Sequence, residues 1–417
     1  MLTIVAGGRP TGRDRYREPM SFDVAHARGL FPALGDGWIR LDPQAGMTIP
    51  ASVATAVSSG FRQLASDPGT ANPAARTAAG ALSSARRAIA DLVKGDPAGV
   101  VLGHSAAQLI GGLADAFGSQ AWWGTEMLLS RDSDPANIVP WERRANALGA
   151  RIRWVETDIE TATIPTVHYL SAIGPVTRVV ALPLASSVTG AITDVSEIAA
   201  KAREVKALLV VDASAGAPYL PLDIAETGAD VLVVSAHRWG GPRMAAMVFA
   251  DPARIDGFES IAVDSAATGP ARLELVSPGG GLLAGLGASI EHLADLDEAA
   301  VGKRRRRLAA SMDGLYEYLQ RLDYYLVTSL ESLAAVRVLG QSEHRVPITS
   351  FMVDGVDAEH VVRRLADNGV RALSNLPSPA FERLGVDDAG GAVTVGLGPY
   401  STPYEVDHLV RTLGSLA

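Results

Sequence analysis

Cysteine is absent from this chain of 417 residues, and lysine occurs only four times. The lack of cysteine excludes a disulfide framework, a cysteine nucleophile and a thiolate metal site, and we predict no metal site of another kind. No apolar run is long enough to span a bilayer, and the N-terminus lacks the apolar region of a secretory signal. With a net charge of -9 and a pI of about 5.4, the chain suggests no nucleic-acid or membrane partner. We therefore expect a cytoplasmic protein.

Short apolar runs alternate with helical patterns along most of the chain. This order predicts an α/β fold in which a mostly parallel sheet is built from right-handed crossovers. The predicted strands of this sheet are Val100–Leu102, Met127–Ser130, Arg151–Val155, Arg178–Leu184, Ala207–Asp212, Val231–Ser235 and Ala246–Phe249. A set of shorter strands and helices near the C-terminus predicts a second, smaller α+β unit.

The domain organisation follows from these patterns. Residues 1–19 lack periodicity and are expected to be a flexible extension, with Met20 as a second candidate start. Residues 20–50 are expected to pack with the small domain. The large domain is expected to span 51–297 and the small domain 298–417. Two long helices, Gly280–Leu296 and Glu298–Leu326, are predicted to link the domains.

Polar residues stand where several predicted strands end. Ser235, His237 and Arg238 follow one buried strand, and Asp212 ends another. Ligands of parallel sheets bind beyond the carboxyl ends of the strands, so these side chains are candidates for a binding site. A buried carboxylate at the end of an apolar strand needs a partner, although Asp212 could equally cap the following turn. The turn Gly103–Ala107 opens a helix, whose free N–H groups suit an anion.

Two motifs link the chain to a known family. The run Ala136–Trp141, read Ala-Asn-Ile-Val-Pro-Trp, resembles cysteine desulfurases. The stretch Val231–Pro242 resembles the segment Ser-x-His-Lys followed by Gly-Pro in class V aminotransferases and cysteine desulfurases, which are pyridoxal-phosphate (PLP) enzymes of fold type I. The resemblance implies a large domain with a mostly parallel sheet of the seven-stranded type and a small C-terminal α+β domain.

Several site residues that the resemblance implies are retained. In the family, the counterpart of Asp212 pairs with the pyridine nitrogen and makes the cofactor an electron sink. The counterparts of Ser235 and His237 bind the cofactor phosphate. Ser277 matches a hydroxyl residue that reaches the phosphate of the neighbouring subunit, which implies a homodimer with shared sites.

Other family positions carry a different residue. The lysine that forms the Schiff base is replaced by Arg238, and the histidine that stacks on the cofactor ring is replaced by Asp134. Thr394 stands where the family has an arginine that grips the substrate carboxylate. The remaining departures are Ala106 and Ala107 in the phosphate turn, and Ser187 and Ala215 at positions that contact the ring oxygen in the family.

These departures bear on the chemistry. Arginine stays protonated and has no free amine electron pair, so Arg238 cannot form an imine. None of the four lysines, Lys94, Lys201, Lys206 and Lys303, falls at a strand end within a motif. PLP could therefore bind only non-covalently, and a protein without any cofactor is a real option.

Three functions remain open at the level of sequence. The first is a degenerate, cysteine desulfurase-like pseudoenzyme that acts as a binding protein. The second is an enzyme that holds PLP or its amine form non-covalently and acts on a small amino compound, with His237 as the base. The third is a site repurposed for an anionic ligand around Arg238. An active form would be a PLP-related transferase or lyase, since a persulfide-forming desulfurase needs cysteine.

Overall fold

Thirteen β-strands form three sheets in a computed structural model of the chain, which describes residues 22–63, 72–118 and 122–415. The predicted extension 1–19 lies outside these residues. The strands are β1 Ile39–Arg40, β2 Val100–Gly103, β3 Glu126–Ser130, β4 Arg151–Val155, β5 Thr177–Pro183, β6 Leu208–Asp212, β7 Val231–Ser235, β8 Ala245–Phe249, β9 Val336–Leu339, β10 Ile348–Val353, β11 Val370–Arg371, β12 Leu373–Ser374 and β13 Val393–Gly396.

The largest sheet has seven strands in the order β2-β8-β7-β6-β5-β3-β4. Strand β8 runs antiparallel to both of its neighbours, whereas the other adjacent pairs are parallel. All seven predicted strands are present within a residue or two of their expected ends. The expected mostly parallel, seven-stranded sheet is therefore confirmed.

The central strands are apolar at consecutive positions because both faces of the sheet are covered. In β6, Leu209 and Val211 belong to one buried cluster, and Leu208 and Val210 belong to another on the opposite face. All five residues of β6 are buried, including the carboxylate of Asp212. Both faces of the sheet are thus shielded from solvent at β6, and the carboxylate of Asp212 lies at the end of this buried strand.

The helices follow the predicted alternation. They are α1 Val24–Gly29, α2 Ala51–Gln63, α3 Pro73–Val93, α4 Ala106–Asp115, α5 Val139–Leu148, α6 Thr166–Ala172, α7 Val195–Glu204, α8 Ile224–Thr227, α9 Gly280–Ala294, α10 Arg304–Glu331, α11 Ala358–Asp367, α12 Pro379–Arg383 and α13 Pro403–Gly414. Within the described residues, no helix is both long and apolar enough to cross a membrane.

The predicted start of the second long helix is wrong. We expected it at Glu298, but α10 begins at Arg304. Gly302 has a φ of 106°, a left-handed conformation that interrupts the helical path and that glycine adopts without steric cost. The helix also continues five residues beyond the predicted end at Leu326.

The C-terminal unit contains a four-stranded antiparallel sheet in the order β12-β13-β10-β9. The short strand β1 pairs in parallel with β11, with Ile39 opposite Val370. Further along, the N–H of Gly396 donates to the carbonyl of Leu41 at 2.9 Å. The segment that precedes α2 in the chain therefore packs against the C-terminal unit.

Candidate functional site

A cleft of about 190 Å³ opens where β5, β6 and β7 end and α4 begins. Nine of the residues predicted as site residues line it, namely Ala106, Ala107, Asp134, Ser187, Asp212, Ala215, Ser235, His237 and Arg238. The other lining residues are Ser105, Ala136, Pro183, Ala185 and Ser214. The structure thus brings together residues that are as far as 133 positions apart in the sequence, as expected for the carboxyl edge of a parallel sheet.

The turn between β2 and α4 presents backbone donors to the cleft. Ser105 caps the helix, and its hydroxyl accepts the Gln108 N–H at 3.1 Å. Ala106 and Ala107 occupy the first helical positions, where N–H groups have no partner within the helix. The turn can therefore offer an anion backbone N–H groups near a helix N-terminus, as the sequence suggested.

The Ala-Asn-Ile-Val-Pro-Trp run packs beneath the cleft. The side-chain amide of Asn137 donates to the Leu182 carbonyl at 3.3 Å, and the Trp141 indole N–H donates to Asn137 Oδ1 at 3.4 Å. Both side chains are completely buried. This motif holds the loop after β3 against the end of β5 and so fixes Asp134 at the cleft.

Asp212 lies at the end of β6 and is only 6% exposed. Its Oδ1 accepts the Ser214 N–H at 2.9 Å, and the Ser214 hydroxyl donates to the Ser235 hydroxyl at 3.1 Å. Burial raises the pKa of Asp212, with a smaller opposing effect from the positive charge of Arg238. The site therefore stores a carboxyl group that would gain from a cationic or hydrogen-bond-donating ligand.

His237 and Arg238 lie in a single 3-10 turn, Ala236–Trp239, that directly follows β7. Burial, followed by the positive charges of Arg238 and Arg243, lowers the pKa of His237 to about 4. The imidazole is therefore neutral at pH 7. Its backbone carbonyl accepts the Met47 N–H at 2.8 Å, which holds the N-terminal segment against the turn.

Arg238 forms two contacts across the cleft. Its Nη1 donates to the Gln44 carbonyl at 2.5 Å, and its Nη2 lies 3.4 Å from Asp134 Oδ2. The Nε atom is buried and has no hydrogen-bond partner among the described residues. Arg238 thus joins the segment of chain around Gln44 to the loop that carries Asp134.

Sequence reasoning missed Gln44, whose backbone carbonyl accepts from Arg238. It belongs to a strap, which we define as residues 42–47. The side chain of Gln44 donates to the Val395 carbonyl at 3.3 Å, and Asp42 pairs with Arg371 at 2.7 Å. The strap therefore connects Arg238 with the C-terminal sheet. The run Leu41–Gly46, read Leu-Asp-Pro-Gln-Ala-Gly, resembles a family segment that passes the active site, and this resemblance could have indicated Gln44.

A buried polar cluster beside the cleft was also missed. The Ser186 hydroxyl donates to Asp132 Oδ1 at 2.7 Å, and the Tyr169 hydroxyl donates to Ser130 at 2.8 Å. Burial raises the pKa of Asp132 to about 7, although the bond from Ser186 acts in the opposite direction. A charged residue two places beyond a buried strand was the signal that could have found it.

Two predicted site residues do not line the cleft. Ser277 is exposed in a loop before α9. Thr394 is completely buried in β13, and its hydroxyl lies 2.7 Å from that of Ser350. The prediction that Thr394 contacts a substrate is therefore corrected, since the hydroxyl is enclosed in the C-terminal sheet.

The four lysines all lie within the described residues, and none lines the cleft. Lys94 pairs with Asp223 at 3.0 Å, and Lys201 pairs with Glu204 at 2.7 Å. Lys206 lies in the turn after α7, and Lys303 caps α10. Against PLP, the fit is thus partial. Asp212, Ser235, His237 and the α4 turn suit a pyridine ring and a phosphate, but no lining side chain supplies an amine.

Comparisons with known proteins agree with this architecture. An uncharacterized protein of Mycobacterium tuberculosis is 52% identical over 397 residues, covering 95% of this chain and all of that protein. A probable cysteine desulfurase of Mycobacterium leprae is 30% identical, covering 66% of this chain and 65% of that protein. The crystal structure of the cysteine desulfurase CsdA from Escherichia coli matches with a TM-score of 0.80 at 22% identity, covering 94% of this chain and 98% of that one. It confirms the PLP-transferase type I fold.

The model of the aminotransferase class-V family matches residues 39–409, which include the strap, the cleft and the C-terminal sheet. This range takes in both sheets whose strand order was described above. The chain therefore belongs to the aminotransferase class-V family.

Proposed function

We propose that this protein is a cysteine desulfurase-like member of the class-V family with a degenerate PLP site, a pseudoenzyme that binds a ligand without covalent lysine catalysis. Arg238 stands at the position of the family's lysine in this proposal. The observation that carries it is the lysine-free cleft, because each of the four lysines is placed elsewhere in the described structure. A guanidinium cannot replace an amine as a nucleophile at neutral pH.

The ion pair across the cleft supports the same proposal. By resemblance, Asp134 occupies the position that faces the cofactor ring, and Arg238 occupies the position of the lysine. Carbon atoms in contact lie about 3.5 Å apart, so a ring between two side chains needs roughly 7 Å of separation. The observed distance between Arg238 Nη2 and Asp134 Oδ2 is 3.4 Å. A ring could enter between them only after the pair had separated.

The experiment combines PLP with purified protein, followed by borohydride reduction and intact-mass measurement. We expect no stoichiometric adduct on the wild-type chain. Arg238→Lys is the matched variant, since it restores an amine at the same position. One reducible adduct per wild-type chain would overturn the proposal. We also expect Arg238→Lys alone to give no amino-acid turnover, because Asp134 still occupies the position of the histidine that stacks on the cofactor ring in the family.

An enzyme with non-covalently held PLP or its amine form is the second candidate, and a specific feature favours it. The carboxyl group of Asp212 is buried at the cleft, where the resemblance places the partner of the pyridine nitrogen. When bound, the cofactor would supply an electron sink. The neutral imidazole of His237 could accept a proton, and Ser235 could hold the phosphate.

Saturable PLP binding without a reducible adduct would favour this second candidate. Asp212→Asn should then weaken binding, while Asp223→Asn, a substitution at an acid that pairs with Lys94 outside the cleft, should not. The enzyme would be a transferase or a lyase. A persulfide-forming desulfurase stays excluded because the chain has no cysteine.

We further propose a cytoplasmic homodimer. Leu275 and Val276, which precede the exposed Ser277, are 48% and 53% exposed, and exposed neighbouring apolar side chains are typical of protein interfaces. Light scattering on the purified protein should give twice the mass of the chain. A monomeric mass at micromolar concentration would reject this part of the proposal.

A further inference from the structure

We propose that Arg238 is the receptor for an oxyanion, a carboxylate or phosphate group, which binds by displacing Asp134 from the guanidinium. This inference rests on the proposed function and deepens it, because it names the chemistry of the ligand. It concerns a residue that replaces the family's lysine by resemblance and therefore has no role inherited from it.

Only some of the N–H donors of the Arg238 guanidinium have good hydrogen-bond partners. Of its five N–H donors, one on Nη1 binds the Gln44 carbonyl at 2.5 Å. The contact from Nη2 to Asp134 is long, at 3.4 Å, and Nε has no partner among the described residues. A good arginine–carboxylate pair uses two parallel bonds of about 2.7–2.9 Å. The Nε–Nη2 edge therefore has unused capacity for two oxygen atoms.

Asp134 is a weak competitor for that edge. Its side chain is 35% exposed, whereas that of Arg238 is 15% exposed. Its Oδ1 accepts the Ala136 N–H at 2.9 Å as the cap of a 3-10 turn, and only Oδ2 contacts Arg238. A carboxylate that is already partly hydrated loses little when it turns towards water. Its departure would also free Nη2 for the incoming anion.

Although the carboxyl groups of Asp134 and Asp212 also line the cleft, several donors near the guanidinium can bind a negative ligand. His237 is neutral at pH 7 because burial lowers its pKa, so the guanidinium is the full positive charge among the lining residues. The N–H groups of Ala106 and Ala107 at the start of α4 and the Ser235 hydroxyl can donate to the same ligand. The hydrogen bond from Nη1 to the Gln44 carbonyl holds the guanidinium in place. This lowers the entropic cost of ordering the side chain when a ligand binds.

Calorimetric titration with inorganic phosphate and, separately, with acetate tests the inference and distinguishes the two oxyanions. Arg238→Gln should weaken binding of the preferred anion by about tenfold or more. Arg178→Gln removes the same charge from an exposed residue at the end of β5 away from the cleft, and it should change the dissociation constant by less than about twofold. Equal weakening by the two variants would mean a general field effect and would overturn the inference.

Asp134→Asn gives the sharper measurement, since asparagine retains the cap on Ala136. It should tighten anion binding several-fold in the wild-type background. In the Arg238→Gln background it should have no effect, because the guanidinium for which Asp134 and the anion compete is then missing. The same effect in both backgrounds would contradict the displacement. If Arg238→Gln fails to fold by circular dichroism, unchanged binding in Asp134→Asn alone refutes the inference.

The two proposals fail separately. A reducible PLP adduct on the wild-type chain would overturn the proposed function whatever the anion data show. If phosphate and acetate bind equally well to the wild type and to Arg238→Gln, the inference is overturned. The proposed function would still stand, because it depends on the lysine-free cleft.

Discussion

The carboxyl group of Asp132 shows how a single buried residue can set the response of the protein to pH. It is buried beside the cleft, and its Oδ1 accepts a hydrogen bond from the Ser186 hydroxyl. Its pKa lies at about 7 in the folded chain, against 3.8 ordinarily. The folded state therefore binds a proton between these values that the unfolded state has released. Stability should fall as the pH rises from about 4 to about 7.

Asp132→Asn should remove this dependence, because an amide oxygen can still accept from Ser186 and no charge is buried. We expect the variant to resemble the wild type in stability near pH 4 and to exceed it by on the order of 4 kcal/mol at pH 8. Chemical denaturation at a series of pH values measures the difference. A gap between the two proteins that stays constant with pH would contradict the raised pKa.

At this scale, the sequence predicted the cleft well where a residue directly ends a strand. Asp212 and Ser235 were located because an apolar run sets both the strand and its carboxyl edge. Gln44 was missed because its role depends on Arg238, which lies 194 positions away. Thr394 was misplaced because alternation in β13 puts its hydroxyl next to Ser350, a contact that no local pattern contains.

Helix α10 illustrates how an element can begin with unfavourable charges. Its first turn carries Arg304–Arg307, at the end where the helix dipole is positive. Arg304 pairs with Asp91 at 2.9 Å and with Glu291 at 3.1 Å, and Arg307 pairs with Glu291 at 2.6 Å. The other two arginines are exposed. Two of the four arginines thus face solvent, and the other two form ion pairs with acidic residues on α3 and α9.

Arginines one position apart should therefore respond in opposite directions. Arg304→Gln breaks two partly buried ion pairs and should lower the free energy of unfolding by about 1 kcal/mol. Arg305→Gln removes an exposed cation from the positive end of the helix and should raise it by about 0.3–1 kcal/mol. Urea denaturation at low salt provides the comparison. Shifts of the same sign would show that the ion pairs do not offset the helix dipole.

The existence of α10 was predictable from its apolar spacing, but its first residue was not. The sequence predicts helix from Glu298, whereas residues 295–303 lie outside both α9 and α10, and Gly302 among them is left-handed. That conformation is a property of the folded backbone. A glycine in a sequence permits it without requiring it.

On the scale of the whole molecule, the large and C-terminal sheets meet through backbone contacts. The N–H of Val346 donates to the Gly190 carbonyl at 2.8 Å. Gly190 has a φ of 74°, and an added Cβ there would collide with the carbonyl oxygens of Val346 and Ile348. The approach of the two units therefore depends on the absence of a side chain at this position.

Gly190→Ala should lower the free energy of unfolding by at least about 2 kcal/mol, from left-handed strain together with overpacking. Gly174→Ala is the matched control, since its added Cβ would have no heavy atom within 4 Å, and it should be neutral or mildly stabilising. Thermal denaturation of the two variants tests the prediction. Equal melting temperatures would show that the two units can shift apart at no cost.

The strap also has a consequence for how the protein is made. Gln44 reaches Arg238 while its own side chain is held by Val395, 351 positions further along the chain. Loop closure over such a separation is among the slow steps of folding, and domains generally fold in order as they leave the ribosome. The seven-stranded sheet can thus form during synthesis. The Gln44 carbonyl that binds the Arg238 guanidinium is held in place only after β13, which contains Val395, has emerged from the ribosome. A nascent chain paused before β13 would carry the cleft residues without the finished cleft.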